Sequence, residues 1–366
     1  MMKMNWIEAP KDWVNEPDFN EIPAEHGYYF PAEFSDHEAT WLSWPHNPET
    51  WPGKIEKIFP MYCEFIKLVS EGEKVKINVR DKEMAEEAFS MIQKTGAHMN
   101  QVYFFENPTN DAWCRDHGPA FLINKDSSKP KMIVDWGYNA WGGKYPPFDL
   151  DEVIPTRIGN QLKIPVAHAN IVMEGGSVDF NGKGTVLTTI SCLLNKNRNP
   201  QLSKEAIEEY LRNYYGVTNI LWLGDGIAGD DTDGHIDDIT RFVNEYTVVT
   251  VVEENRDDEN YSLLQENLEL LRSMKLESGE PIQIIELPMP KPVLYEGQRL
   301  PASYANFYIS NKYVIVPTFE DENDEEAISI LQSCFPEREV VGLNSIDIIW
   351  GLGSFHCLSQ QEPSYT

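Results

Sequence analysis

Positive charge is scarce in this sequence. Thirty lysines and arginines stand against 59 aspartates and glutamates over 366 residues, a formal net charge of −29. A surface of that sign repels phosphate backbones and anionic lipid, which argues against nucleic-acid and membrane partners and favours cationic small molecules. Cysteine is scarce as well. The five thiols, Cys63, Cys114, Cys192, Cys334 and Cys357, are odd in number and scattered, with no C-x-x-C pair. Neither a disulfide framework nor a zinc site follows from them. No apolar run approaches the ~18 residues that span a bilayer, and Met1-Met2-Lys3-Met4-Asn5-Trp6 lacks the apolar stretch of a signal peptide. Low-complexity tracts and Ser/Gly-rich or Pro-rich linkers are missing too. These absences leave the expectation of a reduced, cytoplasmic protein folded as one domain, 1–366, with 41% hydrophobic residues to build a core. The odd thiol count leaves room for a reactive one.

Strand-like runs recur along the whole length, among them Lys74 to Val79, Tyr246 to Val252, Ile282 to Leu287 and Tyr313 to Pro317. Helical patterns fall between them. Ser203 is placed to cap a helix carrying Ile207, Tyr210, Leu211 and Tyr214 on one face and ended by Gly216. Ser262 with Gln265 reads as a capping box before Leu264, Leu268 and Leu271. The acidic run Glu320 to Glu326 reads as a solvated loop leading into a helix. Interleaved strands and helices predict an α/β fold. Five units of roughly 70 residues fit the length, although the sequence shows no self-similarity between them.

Generic nucleotide and metal motifs are absent. Gly142-Gly143-Lys144 ends like a phosphate loop, but position 138 is Tyr and Tyr145 follows the lysine. Gly351-x-Gly353 runs on to His356 rather than a third glycine. Asp231-x-Asp233-Gly234 would need ligands where Gly229 and Thr240 stand, so it is no calcium loop.

Four polar, glycine-flanked segments remain: Asn110 to Pro119, Met173 to Ser177, Gly229 to Asp238 and Gly351 to Gln361. They supply two thiols, three imidazoles and several carboxylates. A thiol with an imidazole is the minimum for cysteine nucleophilic catalysis. Carboxylates are poor neighbours for a thiolate unless the substrate brings positive charge. A guanidinium does, and its fork of N–H donors pairs with two carboxylates while its carbon faces the sulfur. The segments therefore point to a guanidine-processing thiol enzyme rather than a protease. Of the three imidazoles, His235 stands between the Gly234 turn and aspartates able to fix its tautomer. His356 adjoins Cys357 and, on a strand, faces the other way. Cys114 stays open as a second thiol, because in an extended segment it shares a face with Asp116.

The same segments resemble the agmatine deiminases and the bacterial peptidyl-arginine deiminase-like proteins grouped with them. Trp41-Leu42-Ser43-Trp44-Pro45, Leu193-Leu194-Asn195-x-Asn197-Arg198-Asn199-Pro200 and Leu300-Pro301-Ala302-Ser303-Tyr304-x-Asn306-Phe307-Tyr308 carry the resemblance along nearly the whole chain. It departs from the commonest pattern where Gly351-Leu352-Gly353-Ser354-Phe355 precedes His356-Cys357, and at Asp233 and Asp238. The resemblance implies a five-bladed α/β propeller of pseudo-fivefold symmetry with the site at its centre. It implies Cys357 as nucleophile, His235 as general acid/base, and Asp116 and Asp237 as holders of the guanidinium. Glu174 would orient the imidazole or the substrate, Trp113 would lie along the substrate, and Asp231 would sit near the far ammonium of agmatine. No cofactor or metal is implied, and a homodimer is left open. The alternatives are the same chemistry on peptidyl or free arginine, amidino transfer to an amine, and a non-catalytic polyamine binder. Free arginine would need a cation for its α-carboxylate, for which Arg198, Arg241 and Arg299 are the candidates.

Overall fold

The computed structural model describes residues 3–10 and 19–365; the first two residues of the stretch read for a leader lie outside them. Among the described residues no helix is long and apolar enough to cross a membrane. The architecture is α/β, and one connection pattern recurs. Tyr308–Ile309 runs antiparallel to Tyr313–Thr318, the helix Asp324–Cys334 crosses over, and Glu339–Asn344 returns parallel to the middle strand. Three further sheets repeat it. They are Ala120–Ile123, Lys131–Gly137 and Val166–Val172; Asp179–Phe180, Thr185–Thr189 and Asn219–Leu223; and Thr240–Phe242, Thr247–Val252 and Gln283–Pro288.

The largest sheet applies the pattern across the chain ends. Its order is Asn5–Ile7, Val102–Glu106, Lys74–Val79, His37–Ser43 and Ser359–Pro363. The C-terminal strand pairs antiparallel with His37–Ser43, Leu42 opposite Ser359, and that strand is parallel to Lys74–Val79 after the helix Ile55–Ser70. The first strand of this unit therefore comes from the end of the chain and the rest from its beginning.

Local chemistry explains these elements. The middle strand Thr247–Val252 is a β-branched run buried along nearly its whole length, as expected for a strand covered on both faces. The Ser203 hydroxyl accepts the Ala206 N–H at the start of Lys204–Tyr215, and Gly216 ends that helix at φ 70°, as its sequence predicts. Ile207, Leu211 and Tyr215 form its buried stripe. The Ser262 capping box is corrected. The helix spans Asn260–Ser273, with Asp258 Oδ1 accepting the Asn260 N–H at 2.9 Å. Glu259 stands at the N-cap without a side-chain bond, Asp258 before it takes the first N–H, and Ser262 falls inside the first turn.

Closure is locked by one buried carboxylate. Glu362 accepts Trp41 Nε1 at 2.8 Å, Lys76 Nζ at 2.6 Å and Lys131 Nζ at 2.7 Å, joining the last strand to the first sheet and to the neighbouring one. Burial opposes its ionisation, but the two ammonium groups outweigh burial and hold its pKa below the usual value. Glu362→Gln should lower stability by about 3 kcal/mol, since it leaves buried ammonium groups without their counter-charge. The depressed pKa means that the contribution is present above the unfolded value near 4.3 and lost below it. In urea melts the gap between parent and variant should therefore narrow as pH falls below ~4.

Candidate active site

The four polar segments and a fifth, residues 303–307, each lie directly before the first strand of one of the five repeated units. They converge. Cys357 N–H is 3.3 Å from Asn306 Oδ1, and Asn306 Nδ2 donates to Cys357 Sγ at 3.0 Å and to Asp238 Oδ1 at 2.9 Å. The thiol directs itself at Asp237 Oδ2, 3.7 Å away. Burial, with Asp237, Asp238 and Asp116 around it, pushes the Cys357 thiol well above its usual pKa, and only Asn306 works the other way. At neutral pH the sulfur keeps its proton.

Asp116 stands in a short helical turn, Cys114–His117, with Trp113 just before it. Gly176 N–H donates to its Oδ1 at 3.0 Å and Trp141 Nε1 to its Oδ2 at 2.9 Å. Burial raises its pKa to about 6, assisted by Asp237 and Glu174 against the pull of His235. The strained turn that delivers Trp141 (φ 54°, followed by Gly142 at φ 88°) is the sequence that imitates a phosphate loop. Its asparagine, Asn139, accepts the Gly142 N–H. The Gly-Gly thus serves a bend that aims an indole at Asp116.

His235 is wholly buried, with Nδ1 3.8 Å from Asp116 Oδ1. Asp230 builds the turn beneath it, accepting the N–H groups of Thr232, Gly234 and His235. Burial alone would lower the imidazole pKa, yet Asp116, Cys192 and Asp237 outweigh it and hold the ring well above 6.5. Glu174 Oε1 accepts Arg198 Nε at 2.5 Å, while its Oε2 has no hydrogen-bond partner. The same holds for both His235 nitrogens and for Asp237 Oδ1. Four buried polar atoms without a hydrogen bond, on residues of the gathered loops, are suited to a polar ligand. Glu174, Cys192 and His235 also bring donor atoms within 4.8 Å of one another. The guanidinium of Arg198 already neutralises that carboxylate, so a second cation there meets like charge.

The cleft above Cys357 has a volume of about 670 Å³. Trp113, Trp141 and Tyr145 form aromatic wall, and the acids along it are Glu49, Asp111, Asp116, Asp151, Asp231 and Glu296. Among the described residues no lysine or arginine lines it. Trp113 packs on Trp51 with ring centroids 5.4 Å apart, and its ring leaves no room for a Cβ on Gly351 or Gly353. Between those glycines Leu352 takes φ 72°, where glycine would sit without strain. Asp231 lies on the wall, hydrogen-bonded by the Tyr145 hydroxyl and with Lys144 Nζ 3.3 Å from its Oδ1. Lys144 was not foreseen, and it offsets part of Asp231's charge.

Each rival residue has other business. Cys114 is not extended beside Asp116 as alternation suggested, because a helical turn sends residues two apart to different sides. It packs with Trp41, Phe121 and Ile133, and burial raises its pKa to about 12. His117 meets Ser43 Oγ, and burial lowers its pKa to about 3. His356 turns away from Cys357 toward Asp237 and Glu33. Arg198, Arg241 and Arg299 are all committed to internal ion pairs. Sequence reasoning passed over Asn306, although it lies inside a quoted motif, and had no signal for Glu33, Asp230 or Trp141.

Comparison with known proteins agrees with this geometry. The family model for the Porphyromonas-type peptidyl-arginine deiminase matches residues 29–363. A Legionella pneumophila protein provisionally named an agmatine deiminase is 37% identical over 350 residues, covering 94% of this chain and 98% of that one. The agmatine deiminase of Enterococcus faecalis superposes with a TM-score of 0.88 at 33% identity, over 95% of this chain and 99% of its own. A substrate-bound cysteine-to-serine variant of the C. jejuni agmatine deiminase gives 0.83 at 35%, over 92% and 96%. With a full-length match of this kind, and a thiol, an imidazole and paired carboxylates gathered at the loops that the five sheets share, the chain belongs to the Porphyromonas-type peptidyl-arginine deiminase family.

Proposed function

We propose that the protein hydrolyses agmatine to N-carbamoylputrescine and ammonia, with the five repeated sheets as blades of a propeller in one domain and the thiol at its centre. One observation carries the reading: the cleft that leads to Cys357 is lined by six acidic side chains and, among the described residues, by no lysine or arginine. A dication is welcome there, and an α-carboxylate has no partner.

In this reading Asp116 and Asp237 take the two N–H edges of the guanidinium. Its positive charge offsets the carboxylates that hold the Cys357 proton, and the thiol releases that proton to solvent as substrate settles. The thiolate adds to the guanidinium carbon, giving a neutral tetrahedral adduct. His235, kept as imidazolium by its acidic neighbours, donates its proton to one amino group, which leaves as ammonia. An S-alkylthiouronium cation remains on Cys357. The neutral imidazole then takes a proton from water, and the hydroxide adds to the same carbon. Collapse breaks the C–S bond, the carbinol proton passes to sulfur, and the ureido product departs. Asn306 supports the sulfur throughout, Glu174 backs the imidazole, and Trp113 lies along the methylene chain. Asp231, tempered by Lys144, receives the far ammonium.

Ammonia release should be measured in parallel with agmatine, free arginine and a blocked arginine peptide. The kcat/KM for agmatine should exceed that for arginine by at least ~100-fold, and preference for the peptide would replace this reading with peptidyl-arginine deimination. Asp116 must be ionised to hold a cation. Its raised pKa therefore predicts that kcat/KM falls as pH drops through about 6. Gly176→Ala offers a steric test, because a Cβ there would lie 2.5 Å from His235 Nδ1, 2.9 Å from Asp116 Oδ1 and 3.1 Å from Asp237 Oδ2. Activity should drop by ~100-fold or more with the fold retained. A fully active Gly176→Ala enzyme would show that these three groups do not act together.

A further inference from the structure

Beneath the site lies a second set of charges that the chemistry above does not use. Asp116 and Cys357 face the cleft, while the residues immediately before them, Arg115 and His356, face the other way and meet Glu33. Glu33 Oε2 is 2.7 Å from His356 Nε2, 3.2 Å from Arg115 Nη2 and 3.0 Å from Arg241 Nη2. Its Oε1 accepts the Ile309 N–H at 2.9 Å. One buried carboxylate thus touches the segments that carry Asp116, Asp237, Asn306 and Cys357. The segment of Glu174 joins through Asp179, whose Oδ2 accepts Arg241 Nε at 2.6 Å. Burial opposes the charge of Glu33, but Arg241, His356 and Arg115 outweigh it and hold the group well below the usual carboxylate range.

His356 is the member of this set that reaches the site. Its Nδ1 lies 2.6 Å from Asp237 Oδ2 and its Nε2 2.7 Å from Glu33 Oε2. Both ring nitrogens thus lie within hydrogen-bond distance of a carboxylate oxygen, one of Asp237 and one of Glu33. The bond to Oδ2 leaves Asp237 Oδ1 as the oxygen without a partner. We propose that His356 is a positioning residue: anchored by Glu33, it fixes the rotation of the Asp237 carboxylate that is to hold the substrate guanidinium. The charged and titratable neighbours of Asp237 are His235, Asp238 and Asp230 on its own segment, and Arg241, Asp116 and Cys357 on the other elements. Against the opposing effect of burial, His356 is the first-ranked influence holding the Asp237 pKa down, ahead of His235 and Arg241.

The inference rests on the reading that Asp237 holds the guanidinium, so both need testing in one system. Agmatine binding would be measured by calorimetry in a Cys357→Ala background, which cannot turn over, at pH 6.5 and pH 9. Two amides separate the two bonds of His356. An asparagine carries its N–H₂ near the Nδ1 position and keeps the donor to Asp237, whereas a glutamine carries it near Nε2 and keeps only the link to Glu33. Without that donor the Asp237 pKa rises, so the carboxylate is protonated at low pH and recovers as pH increases. His356→Gln should therefore weaken binding at least ~10-fold at pH 6.5, about one pKa unit of lost support, with a clearly smaller deficit at pH 9. His356→Asn should stay within roughly threefold of the parent at both pH values. Equal losses in the two variants, or a His356→Gln deficit that does not change with pH, would overturn the proposal and leave a packing role. Asp237→Asn in the same background keeps the two ideas apart. If it binds agmatine normally, the guanidinium assignment fails; if it binds weakly while His356→Gln is normal, only the positioning role fails.

Discussion

A thiol surrounded by carboxylates cannot ionise until a cation joins it, and that constraint governs the rest of this site. Asp237, Asp238 and Asp116 all act to keep the proton on Cys357, and burial acts in the same direction. Two unit charges 4 Å apart at an effective dielectric of 20 interact by about 4 kcal/mol. A guanidinium between Asp116 and Asp237 thus supplies electrostatic relief on the scale of several pKa units. In the proposed mechanism the nucleophile is therefore produced by the substrate it attacks. Thiols elsewhere in the chain see burial without this compensation, as Cys63 and Cys114 do with pKa values near 12.

Such a concentration of buried negative charge has to be balanced from inside the protein, and the balance comes from the opposite side of the same loops. Arg115 precedes Asp116, His356 precedes Cys357 and Arg241 follows Asp237 by four residues, so each reactive group travels with a basic partner that points away from the cleft. Those partners would repel one another without Glu33, which lies within 3.2 Å of all three. Two layers of opposite sign result, acidic toward the cleft and basic beneath it, with a single glutamate at the bottom. A buried ion network is weak evidence for added stability; its value here is that it fixes the orientation of acids that must meet a planar, two-edged cation.

The readable part of the fold was its periodicity. Lys74 to Val79 forms the strand its alternation predicts, and Ser203 and Gly216 bound their helix, because these signals are local. The capping box at Ser262 failed for an equally local reason, a better acceptor four residues upstream at Asp258. Repetition in five units was invisible because what repeats is backbone connection. Each strand accepts any β-branched filling, and each preceding loop ends in a different reactive residue. The polar segments that the fold brings together were legible where motif and chemistry coincide, and they carry Cys357, His235, Asp116 and Asp237. Glu33 carried no such mark. It sits in Pro31-Ala32-Glu33-Phe34, and its partners lie 82, 276 and 323 positions away, distances over which no local pattern speaks.

Recognition of the far end of the substrate is where a single-residue account gives way to a property of the whole cleft. From sequence, Asp231 looked like the acid that would select an ammonium. In the fold its carboxylate shares the Tyr145 hydroxyl and the Lys144 ammonium, so its own attraction for a distant cation is partly spent within the protein. Discrimination against an α-carboxylate does not need it. Arg198 and Arg241 are buried against Glu174, Asp179 and Glu33, and Arg299 is paired with Asp258. A carboxylate entering the cleft would lose water and meet no cationic side chain among the described lining residues, and an unpaired buried charge costs more than one favourable contact returns. Selectivity of this kind is repulsive in origin, and it is set by where the sequence has spent its few basic side chains.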